Sequence, residues 1–126
     1  MKIKLLLLLL MFFLCACGSP EEPESPWPTW MIHIEGVATD LKNKPIEGAK
    51  ITVYCYEWGV TYKEYFTAET NQDGYYSIYQ SLECPGDSKI GSIKAEKIGY
   101  KTVYSYDKGP YCTDELQIIN FQLEPE

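Results

Sequence analysis

The strongest constraint on the fold is a stretch between positions 34 and 54, in which two alternating runs flank a short polar turn. The first run reads I-E-G-V-A-T-D, the second reads A-K-I-T-V-Y, and Pro45 closes the turn between them. Apolar and polar residues that alternate in this way are typical of a β-strand with one buried face. The stretch therefore predicts two strands joined by a tight connection.

The rest of the chain repeats this alternation and lacks the spacing of an amphipathic helix. The sequence N-Q-D-G at positions 71–74 supplies Asx side chains and a glycine, which suit a hairpin turn between the third and fourth strands. One buried and one wet face on each strand predicts an all-β, antiparallel sandwich of seven strands. The predicted strands cover residues 32–38, 49–56, 61–68, 75–79, 90–97, 101–106 and 116–123.

Residues 1–16 read as a secretion signal. Lys2 and Lys4 form a short basic segment, and the apolar run after them is shorter than the roughly 20 residues that span a bilayer. The signal ends in L-C-A-C, which resembles the bacterial lipobox. This resemblance implies that Cys17 becomes the first mature residue and carries a diacylglycerol thioether, with a further palmitate-like chain on its amine. Such chains anchor a small domain to a membrane. The alternative is an ordinary signal peptide followed by a free cysteine.

The segment after Cys17 predicts a membrane tether. Gly18 stands where aspartate is associated with inner-membrane retention, so the outer membrane is favoured, and both its periplasmic face and the cell surface stay open. Positions 19–29 hold four prolines, which cannot donate backbone hydrogen bonds and keep the chain extended. We therefore predict a lipoprotein signal peptide at 1–16, a lipidated cysteine with a Pro/Glu-rich linker at 17–31, and a β-sandwich domain at 32–126.

Charge and residue types argue against several classes of function. The formal charge is −7, and loss of Lys2 and Lys4 with the signal makes it −9, which argues against a nucleic-acid partner. The chain has one histidine, His33, and no arginine, which leaves few groups for acid–base catalysis or for recognition of anionic substrates. The loop cysteines lack the C-x-x-C spacing of zinc sites. We therefore expect a non-enzymatic protein with no cofactor and no metal.

Four segments carry a pattern that extends over most of the chain. They are I-E-G-V-A-T-D at 34–40, P-I-E-G-A-K-I-T-V at 45–53, T-N-Q-D-G-Y-Y-S-I at 70–78 and A-E-K-I-G-Y at 95–100. Together they resemble the carboxypeptidase regulatory-like domain family over roughly residues 32–123, which implies a transthyretin-like sandwich of seven strands. Asn43-Lys44 departs from the glycine that the family usually has before the proline, although asparagine can also adopt positive φ. Domains of this family stand beside peptidases, at the N-termini of outer-membrane receptors, or alone in small lipoproteins, and we expect the solitary kind here.

Three cysteines beyond Cys17 face an oxidising compartment if the protein is exported. Cys84 and Cys112 both fall in loops just before predicted strands, whereas Cys55 lies on an inward face where a small thiol packs well. We therefore predict a disulfide between Cys84 and Cys112. A bridge from Cys55 to one of the loops, or no bridge, is the alternative.

The remaining signal is the tyrosine content, eleven in the chain. Alternation places several of them outward, and we predict a candidate binding face that includes Tyr54, Tyr56 and Trp58, for a protein or a sugar. The plain alternative is that outward tyrosines are good strand formers that cover neighbouring backbone. We expect a lipid-anchored cell-envelope module that binds an envelope protein. A surface lipoprotein that binds carbohydrate and a structural or maturation-associated lipoprotein are the alternatives.

Overall fold

The computed structural model describes residues 18, 26–57, 61–84, 86, 91–105 and 109–126, and for residues 56–57 and 61–65 it describes the backbone alone. These residues form eight strands and no helix, so none of them belongs to a helix that could cross a membrane. The strands are β1 (Thr29–Asp40), β2 (Lys50–Glu57), β3 (Thr61–Glu69), β4 (Tyr75–Glu83), β5 (Gly91–Glu96), β6 (Val103–Ser105), β7 (Leu116–Ile118) and β8 (Phe121–Leu123).

The strands form two four-stranded sheets, which confirms the predicted all-β sandwich. In the first sheet β1 lies between β4 on one side and β7 followed by β8 on the other. The second sheet has the order β3-β2-β5-β6 and is antiparallel throughout. The expectation of a purely antiparallel fold is wrong, because β7 and β8 run parallel to β1. β6 belongs to the second sheet, whereas the next strand, β7, belongs to the first sheet and runs in the same direction as β1. A tight hairpin joins antiparallel strands only, so a parallel neighbour of β1 must be reached by a longer connection.

Strict alternation along the strands builds the core between the sheets. On β2, Ile51 and Val53 are fully buried and Cys55 is 4% exposed, as the sequence predicts. Removing these apolar faces from water is the main favourable contribution to the stability of such a fold. The cluster consists of Ile32, Ile34, Ala38, Ile46, Ala49, Ile51, Val53, Cys55, Tyr76, Ile78, Cys84, Ile93, Ala95, Cys112, Ile119, Phe121 and Leu123.

The last predicted strand, 116–123, is two short strands, so the prediction of seven strands is wrong by one. The break lies at Ile119 and Asn120, where the Ile119 N–H donates to the Glu35 carbonyl (2.8 Å) and the Asn120 side-chain oxygen accepts the Val37 N–H (2.9 Å). A side chain thus replaces one bond of the ladder. A Cβ on Gly36 would stand 1.9 Å from the Ile119 carbonyl oxygen, so this close approach requires glycine at position 36.

The turn at residues 71–74 connects the two sheets, so the predicted hairpin is wrong. β3 pairs with β2, whereas β4 pairs with β1. The turn chemistry is nevertheless as expected, because the Asn71 side-chain oxygen accepts the N–H groups of Asp73 (3.0 Å) and Tyr75 (3.1 Å), and Gly74 has a φ of 72°. Asn43 likewise adopts the expected positive φ, 61°. These residues fix the bend of the chain but leave open which strands pair.

β1 starts earlier than the sequence predicts. It begins at Thr29, so the predicted linker at 17–31 overlaps the first strand. Trp30 pairs with Leu82 across the ladder, packs against the core, and donates its indole N–H to the Cys84 carbonyl at 2.9 Å. The matching partner, β4, extends beyond the predicted end at residue 79 to Glu83. The domain therefore includes the tryptophan that closes one end of the core.

Candidate functional site

The candidate site is the outer face of the first sheet, formed by the outward side chains of β1, β4 and β7. The strand register places Tyr79, His33 and Leu116 in one row across the sheet. The next row contains Ser77, Glu35 and Ile118. Sheet faces that do not cover a core are normally polar, yet this one exposes large apolar side chains. They are Val37 (36% exposed), Tyr75 (39%), Tyr79 (60%), Leu116 (50%) and Ile118 (58%).

A histidine and a carboxylate occupy the centre of this face. His33 Nε2 lies 2.9 Å from Glu35 Oε1, and the two side chains are 32% and 27% exposed. The Tyr79 ring meets the His33 ring edge to face, with centroids 5.2 Å apart. The pair therefore offers hydrogen-bonding groups in a fixed position, surrounded by exposed apolar side chains.

A shallow groove of about 260 Å³ continues the face beyond β7. It is held by Gln117, whose side chain accepts the Tyr111 N–H (2.8 Å) and donates to the Tyr111 carbonyl (3.0 Å), and by Asp114, which accepts the Met31 N–H (2.8 Å). These bonds attach the segment before β7 to the first sheet. The groove is lined by Tyr111, Thr113, Glu115, Leu116 and Gln117.

The predicted disulfide lies at the end of the same sheet. Cys84 and Cys112 have their sulfur atoms 2.04 Å apart, as expected from the sequence, and their Cα atoms 6.2 Å apart. The bridge joins the end of β4 to the segment that leads into β7. Cys55 is a free, buried thiol, and desolvation raises its pKa to about 12. The alternative bridges from Cys55 are therefore absent from the structure.

Two of the three residues predicted from the sequence as a binding face, Tyr54 and Tyr56, belong to β2 in the other sheet. Tyr54 is half-buried, with the Lys94 ammonium 5.4 Å from its ring centroid. The hydrogen bond to Tyr54, together with the ion pair to Glu96 (3.2 Å), raises the pKa of Lys94. The side chain of Tyr56 and all of Trp58 lie outside the described residues, as does Cys17. This face and the lipidation site therefore stay predictions.

A second groove, of about 390 Å³, lies at one end of the second sheet. Lys50, Lys97, Glu96 and Glu126 place both charge signs along it, so no single class of charged ligand is favoured. Within the described part of the chain, no three His, Cys, Asp or Glu side chains are grouped so that they could hold a metal ion. The outer face of the first sheet is therefore the better candidate for a binding site.

Sequence reasoning missed this face although it placed most of its residues outward. The alternation of β1 puts His33, Glu35 and Val37 on one side, and the alternation of the last segment puts Ile118 on its outward side. The sequence does place two apolar residues, Val37 and Ile118, at outward positions on different strands. These residues could not be recognised as one surface without the strand order, because the pairing of β7 with β1 brings the two strands together.

The fold defines an all-β sandwich domain, and solved structures of similar fold are enzymes. They include 3-chlorocatechol 1,2-dioxygenase from Rhodococcus opacus 1CP, with 12% identity, a TM-score of 0.52 and coverage of 85% of this chain and 63% of that protein. Hydroxyquinol 1,2-dioxygenase from Pseudomonas putida DLL-E4 has 11% identity, a TM-score of 0.51 and coverage of 93% and 71%. A 9R-lipoxygenase from Cyanothece PCC8801 has 14% identity and a TM-score of 0.50, and this chain spans 20% of it.

No protein-family model matches the chain, and no curated protein sequence matches it either. Because the structural likenesses are all under 25% identical, they show the fold alone and transfer no activity. The resemblance to the carboxypeptidase regulatory-like family therefore stays a prediction.

Proposed function

We propose that this chain is a lipid-anchored protein of the cell envelope whose β-sandwich binds a protein partner through the outer face of the first sheet. The single observation that carries the binding function is the group of exposed apolar side chains around the His33–Glu35 pair. Exposed apolar patches of this kind on small domains mark sites of interaction. The lipid anchor is inferred from the L-C-A-C sequence that ends at Cys17.

The charge of this face indicates the chemistry of the partner. Among the described residues of β1, β4 and β7, the outward charged side chains are Glu35 and Glu83, and none of them is a lysine. Glu115 adds an exposed carboxylate beside the groove. An apolar patch with Glu35 at its centre and Glu83 and Glu115 at its margins is complementary to a protein surface that combines apolar side chains with basic groups. The partner we propose is an envelope protein with such a surface.

The proposal is of a binding module rather than an enzyme. The chain has a single histidine, and its contact is the carboxylate of Glu35 at 2.9 Å on a half-exposed face. General acid–base and nucleophilic mechanisms need a base beside a reacting group in a site that holds the substrate. An open sheet face with one His–Glu pair offers a docking surface instead. The likeness in fold to dioxygenases does not alter this proposal, because it concerns the scaffold alone.

A second candidate is carbohydrate binding, favoured by the exposure of the Tyr79 ring beside His33. Sugars stack on such rings, and the imidazole and the carboxylate of Glu35 would bond their hydroxyl groups. Protection from thermal unfolding by envelope polysaccharide, lost in Tyr79→Ser, would favour this candidate over protein binding.

The proposed function is tested by removing apolar side chains from the face in the full-length lipoprotein. Membranes are treated with an amine-reactive crosslinker, and the adducts are compared between the unaltered chain and Leu116→Ser/Ile118→Ser. The matched control is Leu41→Ser/Ile98→Ser, since these two apolar residues are 56% and 98% exposed elsewhere on the surface. We expect an adduct with one other protein that disappears in the first variant and persists in the second. An adduct that persists in both variants contradicts the assignment of the face.

The anchor is tested separately. Labelling with a palmitate analogue should mark the unaltered chain and leave Cys17→Ser unlabelled, and protease treatment of whole cells distinguishes the periplasmic face from the cell surface. Label retained by Cys17→Ser would refute the lipidation site without affecting the binding face.

A further inference from the structure

β4 has one free edge. It pairs with β1 along one side, and no described strand pairs with its other side. Exposed sheet edges pair readily with further strands unless proline, lysine or a bulge prevents it. The sequence of β4, Y-Y-S-I-Y-Q-S-L-E, contains neither proline nor lysine, and its register with β1 is uninterrupted. As far as the described residues show, this edge is therefore open to a further strand.

The hydrogen bonds around β4 show which backbone groups face the free side. Ala38 donates its N–H to the Gly74 carbonyl (2.8 Å) and Cys84 donates to the Pro28 carbonyl (3.2 Å), so even-numbered positions face β1. Odd-numbered positions therefore face away, because backbone groups alternate along an antiparallel strand. At the start of the strand, both the N–H and the carbonyl of Tyr75 are bonded to Asn71. The free groups are those of three residues with exposed side chains, Ser77, Tyr79 and Ser81, followed by Glu83.

We propose that two copies of this chain pair through β4, antiparallel and centred on Tyr79. In this register Tyr79 lies opposite Tyr79 of the partner copy, and Ser77 lies opposite Ser81 of the partner copy. These positions present free N–H and C=O groups, so each of these pairs exchanges two hydrogen bonds without a shift. Pairing ends there, because Glu83 faces Tyr75 of the partner copy, whose backbone groups are bonded to Asn71. The contact is isologous, since the same strand contributes both sides under a two-fold axis.

The outward side chains of β4 are symmetric about Tyr79, with Ser77 on one side and Ser81 on the other. The alternate positions are not symmetric, because Ile78 is buried and Gln80 is exposed. Each serine meets a serine, and the central rings form a cross-strand aromatic pair. The register is therefore favoured by side chains as well as by the backbone.

Charge also permits this register although the chain as a whole is acidic. Glu83 is the one charged residue in β4, and the register places it opposite Tyr75 of the partner copy rather than opposite a second carboxylate. The charge of −7 is spread over the chain, and repulsion across distances beyond a Debye length of about 8 Å is screened at physiological ionic strength. The result is a sheet of twice the width, with two outer faces side by side. The pairing does not depend on what those faces bind.

Single cysteines on the edge test the register in membranes that contain the full-length chain. In the proposed register the two Tyr79 Cα atoms stand about 5.5 Å apart, whereas the two Ser77 positions are offset by four residues, about 13 Å. A short bismaleimide should therefore join Tyr79→Cys into a product of twice the chain mass. Ser77→Cys and Ser81→Cys should each fail alone, while the double variant Ser77→Cys/Ser81→Cys should crosslink. The unaltered chain controls for Cys55, which is buried.

Charge substitutions provide the second arm, because the two exposed serines can change without disturbing the core. Ser77→Lys/Ser81→Lys places lysines opposite each other and should abolish the dimer in sedimentation and crosslinking. Ser77→Glu/Ser81→Lys places opposite charges together and should retain it. The proposal is overturned if Tyr79→Cys forms no product of twice the mass, if Ser77→Cys alone forms as much of it, or if both charge variants behave alike.

Discussion

The substitution Tyr76→Phe tests the hydrogen bond that ties the break between β7 and β8 to β4. Tyr76 is 1% exposed, and its hydroxyl donates to the Ile119 carbonyl at 2.6 Å, at the break between β7 and β8. Its ring packs at a tilt against Phe121, with centroids 6.3 Å apart. Phenylalanine keeps the ring and this packing, so the change removes the hydroxyl group alone. Burial also raises the pKa of the Tyr76 hydroxyl, so it stays a donor at ordinary pH.

The expected cost follows from leaving the Ile119 carbonyl buried without this donor. Removing one partner of a buried hydrogen bond costs about 1–3 kcal/mol, because the remaining group has been desolvated without compensation. For a domain of this size, each kcal/mol lowers the melting temperature by about 4–8 °C. Urea unfolding followed by circular dichroism should therefore show a lower midpoint with an unchanged slope, since the surface exposed on unfolding is the same.

Tyr75→Phe is the matched control, because Tyr75 is the adjacent residue on the same strand and is 39% exposed. An exposed hydroxyl lost from the surface should change the unfolding free energy by less than about 0.5 kcal/mol. If the two variants lose equal stability, or if Tyr76→Phe loses none, the account of the break at Ile119 is refuted.

Three further changes test the packing. Gly36→Ala should lower the unfolding free energy by about 1–3 kcal/mol or more in urea titration, because its Cβ would meet the backbone carbonyl of Ile119 at 1.9 Å, and an unchanged midpoint would show that this approach is looser than described. Replacing Cys84 and Cys112 together by alanine opens a loop of 28 residues and should cost about 3.5 kcal/mol in the same titration, with no loss contradicting a native bridge. Burial raises the pKa of Cys55 above that of the unfolded thiol, so its contribution to the unfolding free energy should be complete below about pH 9 and should be lost as the pH rises towards 12. In Cys55→Ala the unfolding free energy should fall less steeply over this pH range, and an equally steep fall would contradict the prediction.

The buried half of the fold could be predicted from the sequence because alternation is a local property. Ile51 and Val53 on β2, and Ile119 and Phe121 in the last segment, are inward as predicted. The disulfide between Cys84 and Cys112 could also be predicted, because alternation places Cys55 on the buried face of β2. In each case the pattern within one strand decides which side chains leave water.

The pairing of strands could not be predicted in the same way, because it depends on contacts distant in sequence. The N-Q-D-G turn was expected to form a hairpin, yet its residues favour a bend equally well between two sheets. The parallel placement of β7 and β8 beside β1 has no local signal either. Gly36 matters because of the Ile119 carbonyl, which comes from the far end of the chain.

The candidate site was the least predictable part of the molecule, because it depends on which strands pair. Tyr54 was predicted to bind because alternation places it outward with a second tyrosine on the same strand, whereas the exposed face combines two or three residues from each of three strands. Ile118 of β7 and Tyr79 of β4 become neighbours of Glu35 and His33 after the sheet has assembled. A surface made of such contributions needs the strand order before it can be recognised.

The measurement that tests the binding face most directly is photocrosslinking from a single site in living cells. A photoreactive amino acid replaces Ile118, which is 58% exposed beside Glu35 on the face, or Ile98, which is 98% exposed in the turn after β5. We predict one discrete adduct with another envelope protein from position 118 and none from position 98. Equal adducts from both positions, or an adduct from position 98 alone, would contradict the assignment of this face as the binding surface.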